Sequence, residues 1–268
     1  FKGLRPPSAE HWLGTSKLGY DVFAQLATGT RGSLYIGLLG GLVALLLAII
    51  FGILAGYFGG WVDEILTVFT NIMLVIPGLP LVMVIAAYVQ SAESLGDFAR
   101  SSTLIALILG VTGWSGSAVV LRAQARSLRT REYVAAARVA GERPLRIIFV
   151  EILPNLVPLL AAQLIWGIMA AVLGEAGLSY LGLGPTNSIT LGTMLNDAQT
   201  GQAVGAKAWW WFVPPGALIA LLGTGLSLIN FAIDEIVNPK LRLAPQAARQ
   251  QRKAARAGKG VTSGGTYA

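Results

Sequence analysis

Long stretches without charge constrain this chain more than any other feature of its sequence. Only 12% of its 268 residues are charged, and five windows contain no ionisable side chain other than tyrosine. These windows cover residues 32–62, 65–92, 101–121, 152–174 and 208–233. Each is long enough for the ~20 apolar residues that a helix needs to cross the hydrocarbon core. Because soluble domains carry about 25% charged residues, the pattern predicts an all-α, polytopic transmembrane helical bundle.

Trimming the windows at polar residues and turn signals predicts five spanning helices, at residues 33–58, 64–88, 103–122, 148–174 and 209–237. In the first helix, Gly37, Gly40 and Gly41 form a small-residue face that favours tight helix packing. Prolines inside spanning helices kink them and release backbone carbonyls. The candidate kinks are Pro77 and Pro80 in the second helix and Pro154 and Pro158 in the fourth. Helix packing and a substrate pathway account for these prolines equally well.

The loop at residues 122–146 carries seven arginines and is therefore expected in the cytoplasm. Counting spans from this loop places residues 59–61 and the C-terminal tail in the cytoplasm. The same count places residues 1–31, 91–100 and 186–207 outside. This topology divides the chain into an external segment (1–31), a membrane domain (32–237) and a basic, largely disordered cytoplasmic tail (238–268). It also accounts for the net charge of +7, which is therefore no sign of nucleic-acid binding.

The external N-terminus implies a further element. Residues 1–31 must have crossed the membrane, yet the chain begins with Phe1 and shows no signal-peptide pattern. We therefore expect an additional N-terminal spanning helix in the intact protein, which would then have six spanning helices with both ends in the cytoplasm. A start codon directly before Phe1 would contradict this expectation.

The residue content excludes or disfavours several kinds of chemistry. The chain has no cysteine, which excludes disulfides and thiolate metal or redox sites. Its one histidine, His11, has no second ligand nearby in the sequence, so neither a metal site nor a catalytic residue is predicted. The nearest fragment to a phosphate-binding loop, Gly258-Lys259-Gly260, lacks the first glycine and the hydroxyl residue. We therefore expect no cofactor in this chain, and any ATP to be bound by another one.

A short alanine-rich helix is predicted at about residues 131–142, between two spanning segments. Thr130 is the expected N-cap, Glu132 favours the helix dipole in the first turn, and Gly141 is a natural C-terminal cap. Ala136 and Ala140 share a face that lacks bulk and so allows close approach of another protein. Its apolar side chains are too small to anchor the helix strongly in a membrane. The residues predicted to couple this chain to an ATPase are Glu132, Tyr133, Ala135, Ala136, Ala137, Arg138 and Gly141.

This segment resembles the Glu-Ala-Ala loop of ATP-binding-cassette (ABC) importer permeases. Ala136, Ala137 and Gly141 match the motif, as do Leu153 and Pro154. Two positions depart from it: Ala135 replaces the motif's Glu, and Glu151 replaces its Ile. The first replacement removes any salt bridge made from that position, while the steric argument for docking is unaffected.

Further segments resemble the dipeptide/oligopeptide/nickel permease family, and its C-type subunit in particular. They are His11-Trp-Leu-Gly-Thr15, Gly56-Tyr-Phe-Gly-Gly-Trp61, Glu175-Ala-Gly-Leu-Ser-Tyr-Leu-Gly-Leu-Gly184 and Asn238-Pro-Lys-Leu-Arg242. The resemblance implies a type I ABC importer permease in a prokaryotic inner (plasma) membrane. It further implies a second permease subunit in a heterodimer, one or two ABC ATPase subunits that bind ATP and Mg, and an extracytoplasmic substrate-binding protein.

The expected function is to form half of the pathway for peptides delivered by that binding protein, through alternating access. An oligosaccharide, such as a cello-oligosaccharide, remains an alternative cargo. A channel or an ion-coupled secondary transporter is the alternative of another class. Ion-coupled carriers usually keep ionisable groups near the bilayer midplane, and the five windows offer none. Glu151, Glu175, Asp234 and Glu235 are all predicted near helix ends.

Overall fold

The computed structural model describes residues 3–237, and this part of the chain is built from helices and loops. In chain order the α-helices are α1 (Val22–Ala48), α2 (Leu54–Phe58), α3 (Gly60–Val75), α4 (Gly78–Gln90), α5 (Ser102–Gly113), α6 (Ser115–Arg129), α7 (Glu132–Val139), α8 (Pro144–Ile147), α9 (Leu153–Tyr180), α10 (Leu191–Thr200) and α11 (Trp209–Val237). π-Helical segments join α1 to α2 (Ile49–Ile53) and α8 to α9 (Ile148–Ile152), and a 3-10 helix (Glu93–Arg100) follows α4. The predicted all-α class is confirmed, and the predicted tail at 238–268 lies outside the described residues.

Three continuous helices are long and apolar enough to cross a membrane: Val22–Phe58, Pro144–Tyr180 and Trp209–Ile233. Two bent pairs add further spans, with 86° between α3 and α4 and 47° between α5 and α6. Counting each pair as one span gives up to five within the described residues. Large apolar side chains stay exposed along these spans, such as Ile65 (60%) and Leu221 (66%). An apolar outer surface of this kind is what a bundle in lipid requires.

Two predicted helix boundaries fell short of the observed ones. α1 begins at Val22 rather than at residue 33, because the Asp21 carboxylate accepts a hydrogen bond from the Ala24 N–H at 3.1 Å and caps the helix. The fourth predicted helix runs from Pro144 to Tyr180 rather than from 148 to 174. Pro144 occupies the first turn, where a proline costs no helical hydrogen bond.

Two segments differ from the sequence prediction. The external stretch at residues 186–207, for which no helix was predicted, contains α10, and Thr190 begins this helix with a capping box. The second predicted helix is broken rather than kinked: Ile76 and Pro77 are both extended, with ψ angles of 126° and 115°. Ile76 is extended because the ring of Pro77 would clash with a helical residue directly before it. Pro80 lies in the first turn of α4, where it does not disturb the helix.

Tight packing of α1 against α9 holds the centre of the bundle together, as the glycine pattern predicted. A Cβ atom added to Gly41 would lie 2.7 Å from the Ile168 backbone nitrogen. A Cβ atom on Gly37 would lie 2.4 Å from a methyl group of Val172. Since neither distance is available to a real Cβ atom, these glycines set the separation of the two helices.

The loops gather at two opposite ends of the bundle. At one end, the Arg129 guanidinium packs against Gly59, so the 59–60 turn lies beside the end of α6. At the other end, the Thr186 N–H donates to the Arg100 carbonyl at 3.2 Å, and the Trp210 indole N–H donates to the Thr15 carbonyl at 3.3 Å. This grouping matches the one predicted by counting spans, in which the first end is cytoplasmic and the second is external.

Candidate functional site

The candidate coupling element is α7, and local sequence determines where it begins and ends. The Gly141 N–H donates to the Arg138 carbonyl at 3.0 Å and the Glu142 N–H donates to the Ala137 carbonyl at 3.1 Å. This pair of bonds is a Schellman motif, and its left-handed residue is Gly141 at φ 79°. The predicted N-cap was wrong, because Arg131 holds that position and the Thr130 hydroxyl donates to the Ser127 carbonyl at 2.9 Å instead.

One face of α7 anchors the helix to the bundle. Val134 is fully buried and belongs to an apolar core that includes Leu121 of α6 and Ile152 of the π-helical segment before α9. The Arg138 guanidinium lies over the Tyr57 ring, 5.4 Å from its centroid. The short helix therefore contacts the first, third and fourth spans at once, so a displacement of α7 reaches all three.

The opposite face of α7 is open. Ala135, Ala136 and Ala140 are exposed, and Val139 is 91% exposed. A hollow of about 670 Å³ lies at the N-terminal end of α7 and is lined by Ser127, Leu128, Thr130, Arg131, Glu132 and Tyr133. The small exposed side chains form a surface that another protein can approach closely.

Two ion pairs lie near α7 at the same end of the bundle. The Arg122 guanidinium of α6 forms a bidentate ion pair with the Asp63 carboxylate of α3, with 2.8 Å between Nη2 and Oδ2. Between α7 and α8, Glu142 pairs with Arg146 of α8. The first pair joins the second and third spans at their cytoplasmic ends, and the second pair is local to the segment after α7.

The four candidate kink prolines lie in two separate places. Pro77 precedes α4 and Pro80 begins it, whereas Pro154 and Pro158 lie in the first turns of α9. A mainly apolar cavity of about 180 Å³ lies between α1, α4, α5 and α9. Its wall includes Gly78, directly after the break at Pro77, and none of the four prolines lines it. Pro77 thus shapes the chain beside this cavity, through the break that precedes Gly78.

A buried carboxylate at the external end was missed by the sequence prediction, which placed Glu175 merely near a helix end. Glu175 is 0% exposed and accepts hydrogen bonds from three hydroxyls. Ser179 and Thr190 donate to Oε1, each at 2.6 Å, and Ser33 donates to Oε2 at 3.0 Å. Short-range sequence patterns hold no signal for this cluster, because Ser33 is 142 residues away from Glu175.

The external end also holds a polar cavity of about 480 Å³. It is lined by Ser179, Gly182, Gly184, Pro185, Thr186, Asn187, Ser188, Ile189, Thr193, Asn196 and Asp197. Desolvation by the surrounding atoms raises the pKa of the Asp197 carboxyl above its usual value. Within residues 3–237 there is no group of three or more His, Asp or Glu side chains that could hold a metal ion.

Comparison with known proteins gives consistent matches. The family model described as "Binding-protein-dependent transport system inner membrane component" matches residues 48–243. The chain is 36% identical over 239 residues to the dipeptide transport system permease protein DppC of Bacillus subtilis, covering 88% of this chain and 71% of that protein. It is 31% identical over 240 residues to the oligopeptide transport system permease protein OppC of Mycobacterium tuberculosis, covering 89% and 79%.

Among solved structures, the chain superposes on a chain of the MetNI methionine ABC transporter in an inward-facing conformation. The TM-score is 0.61 at 17% sequence identity, and the match covers 80% of this chain and 95% of that one. At this identity the match shows a shared fold.

Proposed function

We propose that this chain, which belongs to the family of binding-protein-dependent transport system inner membrane components, transports a peptide and is coupled to the ATPase through α7. As a member of that family, the chain is a multi-pass permease subunit of an ABC importer in the plasma membrane. The names of the curated relatives, dipeptide and oligopeptide permeases, favour a peptide over the alternative of an oligosaccharide. The observation that supports coupling is the two-sided character of α7, anchored through Val134 and open at its alanine face.

In this proposal the chain performs no chemistry of its own. ATP and Mg are bound and hydrolysed by one or two ATPase subunits, and a second permease subunit supplies the other half of the pathway. A binding protein delivers the peptide at the external end. The exposed face formed by Ala135, Ala136 and Ala140 sits in a cleft of the ATPase, so that closure of the ATPase pair displaces α7.

Movement of α7 reaches the membrane through its buried contacts. Val134 pushes on the core shared with Leu121 and Ile152, which belong to α6 and to the π-helical segment before α9. π-Helical segments often mark functional sites, where one hydrogen-bonding register gives way to another. We infer that the spans containing α6 and α9 tilt together and open the cavity beside Gly78 alternately to the two sides.

The test introduces charge on the open face of α7. Ala136→Glu places a carboxylate where small side chains meet the ATPase, and burying a charge without a partner costs several kcal/mol. Since each 1.4 kcal/mol is a factor of ten, we expect peptide uptake by the reconstituted importer to fall at least about tenfold. Either the ATPase no longer copurifies with the chain, or it hydrolyses ATP without driving uptake.

Two control variants separate coupling from general damage. Ala136→Ser changes the same residue with little added bulk and should retain uptake. Ala9→Glu makes the same chemical change at an exposed residue of the external end and should also retain it. Wild-type uptake by the Ala136→Glu importer, with the ATPase bound, would show that α7 is not the coupling element.

A further inference from the structure

The polar cavity of about 480 Å³ at the external end has a single charged side chain in its lining. Its eleven lining residues include one carboxylate, Asp197, and no lysine, arginine or histidine. Asp197 lies on the rim that this cavity shares with a second external hollow, whose lining includes Lys17. No ion pair formed within residues 3–237 includes Asp197. The cavity therefore presents a negative charge to whatever enters it.

Several side chains of the lining donate hydrogen bonds to other groups of the protein. The Ser179 hydroxyl donates to Glu175 Oε1 at 2.6 Å, and the Thr193 hydroxyl donates to the Thr190 carbonyl at 3.0 Å. The Asn196 amide nitrogen donates to the Tyr180 carbonyl at 2.8 Å. The Thr193 hydroxyl oxygen already accepts a hydrogen bond from the Thr190 N–H at 2.8 Å. The Ser179 hydroxyl oxygen and the Asn196 carbonyl oxygen keep their capacity as acceptors. Together with the Asp197 carboxylate, they offer acceptors to an occupant that carries N–H groups.

Charge and size narrow the occupant further. The buried Glu175 carboxylate lies directly behind Ser179 and adds a second negative charge to the field in the cavity. The Asp197 side chain is exposed, so a cationic group of the occupant can reach its carboxylate. A volume of about 480 Å³ is that of a small-molecule site and fits one terminal residue of a peptide.

We propose that this cavity binds the N-terminal ammonium group of the peptide as it leaves the binding protein, with Asp197 as the counter-ion. Ser179 and Asn196 accept the two remaining N–H bonds. The inference rests on the proposed function, since it assumes a peptide cargo. It assigns to this permease a specificity of its own, for a free amino terminus at the entrance to the pathway.

Thiol labelling of the complete transporter tests the proposal. The chain contains no cysteine, so Asn187→Cys, at an exposed residue of the cavity wall, places its only thiol in the site. A maleimide is applied with trialanine or N-acetyl-trialanine and without binding protein, and labelling is read on the separated chain. Trialanine should slow the labelling, and N-acetyl-trialanine should not. Gln199→Cys, exposed on α10 outside the cavity, should be labelled at the same rate throughout.

The carboxylate is tested by Asp197→Asn in the same background. Because hydrogen bonds to charged groups contribute about 1.5–3 kcal/mol, the trialanine concentration that gives half protection should rise at least about tenfold. Asp97→Asn removes an exposed external carboxylate outside the cavity and should leave that concentration unchanged. Equal protection by both peptides, or protection that survives Asp197→Asn, overturns the proposal.

Three further outcomes are distinguishable. Protection by the empty binding protein alone, with none by trialanine, means that the cavity receives a side chain of that protein, and it also overturns the proposal. Failure of the wild-type importer to take up any peptide refutes the proposed function itself. Peptide uptake by the wild type that Asp197→Asn leaves unchanged, together with unchanged protection, overturns the proposal and leaves the proposed function standing.

Discussion

Replacing Glu175 by glutamine should loosen α10 from the external end of the bundle. Backbone N–H groups at the start of α10 set the direction of two of the three hydrogen bonds in the cluster. The Leu191 N–H donates to the Ser33 hydroxyl oxygen and the Thr193 N–H donates to the Thr190 hydroxyl oxygen, both at 3.1 Å. The hydrogens of these two hydroxyls are therefore left for the Glu175 carboxylate. The cluster accommodates an acceptor with no hydrogen of its own.

Glutamine brings an NH2 group into a position where only acceptors fit. One hydroxyl, most directly that of Ser33, then faces a donor and loses a bond to a charged group. Such a bond contributes about 1.5–3 kcal/mol. Since α10 is held to α1 and α9 through this cluster, the loss should appear as a larger population of the state in which α10 is detached. At 1.4 kcal/mol per factor of ten, that population should grow about 10- to 100-fold.

The assay is the labelling of a buried thiol on α10. Met194 is 1% exposed, and the chain has no cysteine, so a thiol in Met194→Cys reacts only when α10 opens. Glu175→Gln should accelerate its labelling by the factor above, whereas Glu64→Gln, the same change at an exposed residue, should not. Equal labelling rates in the two variants would refute the reasoning that an anion at position 175 holds α10 in place.

Two further predictions concern the helix seam and the external cap of α1. Gly41→Ala should lower the melting temperature of the assembled transporter by overpacking against Ile168, which typically costs 1–3 kcal/mol; Gly177→Ala, where an added Cβ meets no atom within 4 Å, should not lower it. A hydrogen bond from His11 lowers the pKa of the Asp21 carboxyl below its usual 3.8. The ionised carboxylate therefore stabilises the folded state above that value, and this stabilisation is lost as the pH falls through the lowered pKa. Asp21→Asn should therefore flatten the fall in melting temperature between about pH 5 and pH 2, and an unchanged fall would contradict this role.

The parts of the fold that sequence reasoning predicted correctly depend on local physics or on the solvent. Charge-free windows identify spans because lipid forbids charges over the length of a helix. α7 lies within the predicted range because alanines and a glycine cap define a short helix without outside help. The span at Trp209–Val237 matches its predicted limits, since apolar sequence and flanking polar residues coincide there.

Several errors have a different origin, because they depend on residues that are distant in sequence. Asp21 caps α1 locally, but Val22, the first residue of α1, is also buried in a core with Leu191 and Trp211, which lie far along the chain. Glu175 was interpreted as an ordinary helix end because nothing beside it in the sequence reveals the hydroxyls of Ser33 and Thr190. The chain also changes direction by 86° after Val75, which is more than the kink predicted from a proline.

The distinction between local and distant contacts also applies to α7, which lacks the glutamate of its motif. Ala135, which replaces that glutamate, is exposed, so its replacement alters the contact surface and not the anchoring. Anchoring depends on Val134, which is completely buried among side chains of other helices. An eight-residue helix is only about 12 Å long at 1.5 Å per residue, so a rigid displacement of its open face must appear at Val134. The proposed coupling therefore uses a close steric fit at the alanines and a packed core behind them, and it needs no ion pair at position 135.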